Sequence, residues 1–112
     1  MAAGANLSVT DLRRAARHPV DVPVIVEHYS KGDINLHVCN ISAHGFMVDD
    51  ADGLSRGERV IIRLPVVGRI EAYVIWTREH RAGFQFERII RLDDFVAMID
   101  TLQPNPRLRR NR

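Results

Sequence analysis

The feature that most constrains this chain is a series of short segments with alternating apolar and polar residues, running from Val20 to Glu87. Successive side chains of a β-strand point to opposite faces, so a period of two predicts strands that each bury one face. Gly, Asp, Pro and Ser separate these segments, as they do between the strands of hairpins. The pattern therefore predicts a series of antiparallel strands.

Six strands and one helix are predicted. The strands fall within residues 22–26, 34–38, 46–48, 59–64, 70–77 and 84–86. In the fifth strand the expected inward face holds Ile70, Ala72, Val74 and Trp76. Leu92 to Leu102 carry apolar residues at helical spacing, and Pro104 ends that helix. Because closure removes exposed strand edges, the predicted fold is all-β: a small six-stranded antiparallel barrel plus one C-terminal amphipathic helix.

A chain of 112 residues with 46% hydrophobic and 27% charged residues has the size and composition of one globular domain. The expected division is a flexible tail over 1–10, a domain over 11–103 and a disordered Arg-rich tail over 104–112. No apolar run approaches the roughly 18 residues of a membrane helix. The N-terminus resembles no secretion signal, which predicts a cytoplasmic protein. Cys39 is the only cysteine, so no intramolecular disulfide is expected.

Positive charge is concentrated at the two ends of the chain. Residues 1–19 carry +2 and residues 104–112 carry +4, whereas residues 20–103 hold 9 basic and 13 acidic residues and so carry −4. Nearly all the basic residues are arginines, the side chain whose planar fork of donors suits a phosphate or a guanine edge. Genomic codon bias is the alternative explanation for that preference.

The second strand contains a break in its alternation. Apolar residues occupy even positions up to Val38, but the next one is Ile41. A slip of one residue exchanges the two faces of a strand, which predicts a bulge near Cys39 or an end of the ladder there. With Ile41 inward, Asn40 and Ser42 are expected to face outward together. Gly45 would allow a tight turn or the close approach of a ligand.

A second polar motif precedes the first strand, where Arg13, Arg14 and Arg17 follow one another closely. Arg13 and Arg17 lie four residues apart, so they share one side of a helical turn or of an extended chain. Pro19 disfavours helix at His18, and the segment is expected to be an irregular, mobile arm. The two outer arginines could then grip one ligand from the same side.

Together the two motifs resemble the signature of the PilZ domain family. The sequence shows R-x-x-x-R at Arg13 and Arg17, and N-x-S-x-x-G beginning at Asn40. The resemblance covers roughly residues 11–103. It includes Gly57, the apolar segment 74–76 that ends in Trp76, and the closing strand 82–86. It implies a six-stranded barrel that acts as a bacterial receptor for the second messenger cyclic di-GMP.

The resemblance also implies a set of ligand-binding residues, namely Arg13, Arg14, Arg17, Asn40, Ser42 and Gly45. Arg13 and Arg17 are the candidates for guanine-edge and phosphate contacts, since one guanidinium can engage N7 and O6 of guanine together. Asn40 can accept from the N1/N2 edge of guanine, Ser42 can donate to a phosphate, and Gly45 leaves space. Arg14, which the family motif does not require, can add a phosphate contact or stack on a purine. Ordering of the arm by ligand would relay the signal to a downstream protein partner.

Two other functions are compatible with the sequence. A PilZ-like adapter would act through protein contacts without binding nucleotide. A single-stranded nucleic acid could stack on barrel aromatics such as Tyr73, although the net charge of the barrel region opposes it. The sequence contains no convincing acid, base and nucleophile set, and the five histidines have no metal-ligand spacing. We therefore expect no enzyme activity, no metal and no cofactor besides the ligand.

Overall fold

The computed structural model describes residues 16–102, which form six antiparallel strands and one helix. In chain order they are β1 (His18–His28), β2 (Gly32–Ile41), β3 (Gly45–Asp49), β4 (Arg59–Leu64), β5 (Gly68–Arg78), β6 (Arg81–Phe86) and α1 (Leu92–Leu102). The strands close into a barrel in the order β1-β2-β3-β6-β5-β4. The predicted fold class, a six-stranded barrel with a C-terminal helix, is confirmed.

The interior of the barrel is formed by the apolar residues of the alternating pattern. Phe46 of β3 and Phe84 of β6 are almost fully buried and stack with their ring centroids 4.6 Å apart. Phe95 and Met98 of α1 belong to the same cluster, so the apolar side of the helix adds to the core. Burial of such a side chain contributes about 1.5–3 kcal/mol, so packing against the barrel stabilises the helix.

The N-terminal half of β1 is paired on one side. β1 pairs with β4 only from Val26 to His28, whereas its pairing with β2 begins at His18. Pro19 and Pro23 lie in this half, where a missing backbone N–H is tolerated because one edge of the strand pairs with no other strand of residues 16–102. In this register His18 is opposite Ile41, so the residue that precedes β1 lies next to the end of β2.

The predicted bulge in β2 is present at Cys39. Val38 pairs with Val48 and Asn40 with Met47, so two steps along β2 match one step along β3. The extra residue reverses the alternation: Val38 and Ile41 both point into the core, and Asn40 lies on the outer face. The phase slip in the sequence therefore marks a real irregularity of the ladder.

A second bulge, in β5, was not predicted and corrects the placement of Trp76. Val74 pairs with Phe84 and Trp76 with Gly83, which leaves Ile75 as the extra residue. Gly83 lies between the inward residues Ala82 and Phe84 and thus faces outward, as does its partner Trp76. The expectation that Trp76 continues the inward face of Val74 is therefore wrong, because the alternation is interrupted between them.

Candidate functional site

The last residue before β1 contacts the bulged end of β2. Nη1 of Arg17 donates a hydrogen bond of 2.8 Å to Oδ1 of Asn40, at the protein surface and across 23 residues of sequence. The pairing of Pro19 with Asn40 brings the two residues together. One member of the arginine motif and one member of the N-x-S-x-x-G motif thus meet in space. Arg13 and Arg14 lie outside the described residues.

Ser42 does not share the outer face with Asn40. Its exposed fraction is 3%, its N–H donates to the carbonyl of Gly45 at 2.8 Å, and its Oγ accepts the N–H of His44 at 3.1 Å. The expected outward pair of Asn40 and Ser42 is therefore wrong for Ser42. Because β2 ends at Ile41, strand alternation no longer applies, and the hydroxyl instead closes the turn that leads into β3.

Gly45 is required where β3 approaches β6. A Cβ atom at this position would overlap the carbonyl oxygen of Phe84 and lie 3.0 Å from Cα of Gln85. Gly45 is also the partner of Gln85 in the β3–β6 ladder. The observed reason for this glycine is thus a close contact between two strands, and its expected role beside a ligand stays a prediction.

A row of side chains crosses the outer face of the barrel from the Arg17–Asn40 contact. Successive ladder pairs connect Asn40 to Met47, Met47 to Gly83 and Gly83 to Trp76. Nδ2 of Asn40 lies 3.8 Å from Sδ of Met47, and the indole of Trp76 covers Gly83 so closely that a Cβ there would overlap it. We call the outer face around this row the site wall. It presents an amide, a thioether and an indole side by side.

Trp76 is a residue of the site wall that sequence reasoning did not include among the ligand-binding candidates. It is half-buried and lies flat over the backbone of β6. One signal in the sequence was available: a glycine at position 83 makes room for a large neighbour. This signal does not fix the register that joins the two residues.

Cys39, at the β2 bulge, lies beside the site wall. Burial and the nearby carboxylate of Asp49 raise the pKa of its thiol, while the guanidinium groups of Arg81 and Arg17 act in the opposite direction. Its Sγ lies 3.5 Å from the carbonyl oxygen of Met47. The thiol is therefore protonated near neutral pH and has the character of a packing group rather than a nucleophile.

His37 connects three strands next to Cys39. Its Nδ1 lies 2.8 Å from Oδ1 of Asp49 in β3, and its Nε2 contacts Asp21 in β1. The hydrogen bonds to Asp21 and Asp49 raise the pKa of His37 above its usual value. Protonated His37 offsets one of the two carboxylate charges at this edge of the site wall.

The described part of the chain shows no set of three His, Cys, Asp or Glu side chains that could hold a metal ion. In residues 16–102, no helix is both long enough and apolar enough to cross a membrane.

Comparison with known proteins agrees with this fold. The family model of the PilZ domain matches residues 11–100. The PilZ domain of CeSA from a cellulose-synthesizing bacterium is similar over 79% of this chain and 95% of its own, with a TM-score of 0.56 and 22% identity. The Bacillus subtilis inhibitor of motility MotI/DgrA is similar over 86% of this chain and 51% of its own, with a TM-score of 0.50 and 28% identity. No curated protein matches the chain.

The fold and the match over most of the chain define a class of protein, the small β-barrel domains that act as receptors or adapters rather than as enzymes. The chain belongs to the PilZ domain family. Members of this family typically bind cyclic di-GMP.

Proposed function

We propose that this chain is a receptor for cyclic di-GMP and that the ligand binds between the arginine segment before β1 and the site wall. The observation that carries the proposal is the 2.8 Å hydrogen bond from Arg17 to Asn40. It joins one residue of the arginine motif and one residue of the N-x-S-x-x-G motif at an exposed point of the surface. Family membership supports the same ligand, since PilZ domains typically bind it.

Arg17 and Asn40 have the chemistry to recognise guanine. A guanidinium has five N–H donors, and only Nη1 of Arg17 contacts Asn40. Arg17 can therefore present a donor fork to N7 and O6 of one guanine, a contact worth about 1–3 kcal/mol. Oδ1 of Asn40 accepts from Arg17 and can also accept from the N1/N2 edge of a base. Arg13 and Arg14 are assigned further guanine and phosphate contacts.

Trp76 supplies a flat apolar surface on the same wall. Stacking of a base on an aromatic side chain contributes about 1–3 kcal/mol. Gly83 permits the indole to lie close to the strand backbone, and Met47 separates it from Asn40. We assign Trp76 to a purine face of the ligand, in addition to the residues of the two sequence motifs.

Ser42 and Gly45 shape the turn from which the site wall begins. Oγ of Ser42 accepts the N–H of His44, and no described residue accepts its hydroxyl hydrogen. That hydrogen can be donated to a phosphate oxygen once the ligand reaches the turn. Gly45 keeps β3 against β6 and adds no side chain between the turn and the ligand.

Signal output in this proposal comes from ordering of the arginine segment across the barrel, which presents a changed surface to a downstream protein partner. Fixing five residues costs roughly 5–10 kcal/mol, which offsets much of the contact energy. We therefore expect micromolar to sub-micromolar binding, about −8 to −10 kcal/mol. An affinity of this size suits a reversible sensor.

The test is calorimetric titration with cyclic di-GMP of the unchanged chain and of the Arg17→Ala variant. Arg17→Ala is expected to abolish measurable binding. Its thermal midpoint should stay that of the unchanged chain, because the lost hydrogen bond is exposed. Arg63→Ala, which removes an exposed arginine from β4, is the matched control and should bind normally.

Other results of that titration would contradict the proposal. Unaltered binding by Arg17→Ala, or unfolding of that variant, would refute the assigned role. Absence of any binding to the unchanged chain would favour the adapter function. Linear pGpG and GTP should bind more weakly than the cyclic ligand, whereas steep salt dependence with little preference for guanine would support binding of a nucleic acid.

A further inference from the structure

Two pairs of arginines face each other directly across the ladders of the barrel. Arg63 of β4 is opposite Arg69 of β5, and Arg78 of β5 is opposite Arg81 of β6. Like charges in directly opposed positions destabilise a sheet. Each pair therefore needs a nearby negative charge to offset the repulsion.

The first pair has such a charge. Nη2 of Arg69 donates to Oε1 of Glu27 at 3.1 Å. In contrast, no carboxylate of the described residues lies within 4.0 Å of the guanidinium groups of Arg78 or Arg81. Both of these arginines are exposed. The second pair is thus a concentrated positive charge whose counter-charge is not supplied by residues 16–102.

The second pair lies beside Trp76 on the site wall. Arg81 and Gly83 are two residues apart in β6 and share its outer face, and Gly83 is the partner of Trp76. An open cleft of about 400 Å³ adjoins them, lined by Trp76, Thr77, Arg78, Glu79 and Arg81. Glu79 is the only acidic residue of this lining, and its carboxylate is more than 4.0 Å from both guanidinium groups.

Arg81, unlike Arg78, is also close enough to the β2 bulge to act electrostatically on Cys39. The guanidinium groups of Arg81 and Arg17 both lower the pKa of the Cys39 thiol, so each acts at the β2 bulge. Asp49 is the neighbouring acid on β3, and it is held by His37 at 2.8 Å rather than by an arginine. Positive charge therefore occurs on both sides of the bulge.

We propose that Arg78 and Arg81 bind a phosphodiester group of the nucleotide ligand and so extend the site beyond Trp76. The inference rests on the proposed function, since it concerns the same ligand. An anion between the two guanidinium groups removes their repulsion and gains charge-assisted hydrogen bonds, which are stronger than neutral ones. The phosphodiester can belong to the molecule held by Arg17 or to a second molecule stacked upon it.

The experiment is calorimetric titration with cyclic di-GMP of four chains: unchanged, Arg78→Ala, Arg81→Ala and the control Arg63→Ala. All three substitutions remove one positive charge from an exposed strand position. We expect Arg78→Ala and Arg81→Ala each to weaken binding by about 10-fold, the loss of one charged hydrogen bond. Arg63→Ala should leave the affinity unchanged. If the bound phosphate belongs to the first ligand molecule, the two variants should keep the ligand-to-protein ratio of the unchanged chain. If it belongs to a second molecule, that ratio should fall by half in the variants.

Stability of the free protein provides an independent measurement. Because Arg78 and Arg81 repel each other, either alanine variant should unfold at the same temperature as the unchanged chain or slightly above it. Arg69→Ala, which loses the bond to Glu27, should unfold slightly below it. Raising the salt from about 50 mM to about 500 mM should shrink the affinity difference between Arg81→Ala and the unchanged chain.

The inference is overturned if the unchanged chain binds cyclic di-GMP while Arg78→Ala and Arg81→Ala bind as tightly as Arg63→Ala. It is also overturned if these two variants lose affinity because they unfold at the titration temperature. A lack of binding by the unchanged chain itself refutes the proposed function and this extension together. The two failures are therefore distinguishable.

Discussion

Two sides of the barrel differ in regularity. The β1–β4 and β4–β5 ladders, together called the β4 wall, contain no register shift. All three shifts found in the described barrel occur in other ladders: β1–β2 between Pro19 and Val22, β2–β3 at the β2 bulge, and β5–β6 before Trp76. Each of these irregularities lies in a strand that contributes to the site wall or leads to it.

The difference extends to charge. On the β4 wall Arg69 is paired with Glu27, and Arg59 lies 3.5 Å from Glu71. The site wall leaves Arg78 and Arg81 without a carboxylate partner among the described residues. Bulges redirect side chains and interrupt local pairing, and they occur more often than average next to functional sites. The comparison supports the proposal that the site wall binds the ligand while the more regular β4 wall acts as scaffold.

The largest effect expected from a single change on the site wall is the loss of stability in Gly45→Ala. The new Cβ would overlap the carbonyl oxygen of Phe84, and neither backbone can move without breaking the β3–β6 ladder. We expect a loss of about 3 kcal/mol in the free energy of unfolding, measured by urea denaturation. The control is Gly68→Ala in β5, where no atom lies within 4 Å of the added Cβ but φ is +84°, so a smaller loss is expected. Equal losses would contradict the steric explanation.

Trp76→Ala should separate binding from stability. Its indole is half-buried on the outer face, outside the core cluster. We expect the affinity for cyclic di-GMP to fall by about 10- to 100-fold, which corresponds to 1–3 kcal/mol of base stacking. Tyr29→Ala, which removes an exposed aromatic after β1 that is hydrogen-bonded to Glu71, should bind normally. Unchanged affinity in Trp76→Ala would remove the indole from the site.

The smallest effect concerns pH. Because the pKa of His37 is raised in the folded state, its protonated form stabilises the fold fully below the unfolded pKa of about 6.5. This contribution is lost as the pH rises through the folded pKa. For a partly exposed cluster we expect less than about 1 kcal/mol.

His37→Gln should remove this decrease from the pH profile of the free energy of unfolding. Asp52 also raises the pKa of His80, which is exposed in the turn next to Arg81, so His80→Gln is used as the background for ligand binding to remove this second titration. Above the folded pKa of His37, Asp21 and Asp49 repel an anionic ligand more strongly. Affinity should therefore decrease with rising pH in His80→Gln but not in the double variant His37→Gln/His80→Gln.

Much of the fold was predictable because burial imposes its period on the sequence. The alternating residues of β1 to β6 and the helical spacing of α1 identified all seven elements. The β2 bulge was predictable for the same reason, since Val38 and Ile41 are both core residues and their spacing breaks the alternation. Local patterns sufficed wherever the inward face was apolar throughout.

The site was less predictable because it depends on pairing between distant strands. The β5 bulge could not be detected in the sequence. Val74, Ile75 and Trp76 are all apolar, so the alternation does not show which of them points outward. Ser42 was misplaced because alternation was extended beyond the end of β2. The resemblance implied one ligand site for both motifs but no direct bond from Arg17 to Asn40, which the β1–β2 register explains physically.

The most direct test of the account is an NMR titration of the isotope-labelled chain with cyclic di-GMP, which reports on both walls at once. We predict that the side-chain amide of Asn40, the indole N–H of Trp76 and the guanidinium of Arg17 shift with ligand. Signals of Ile61, Arg63 and Arg69 on the β4 wall should stay in place. Shifts confined to the β4 wall, with Asn40 and Trp76 unmoved, would contradict the account.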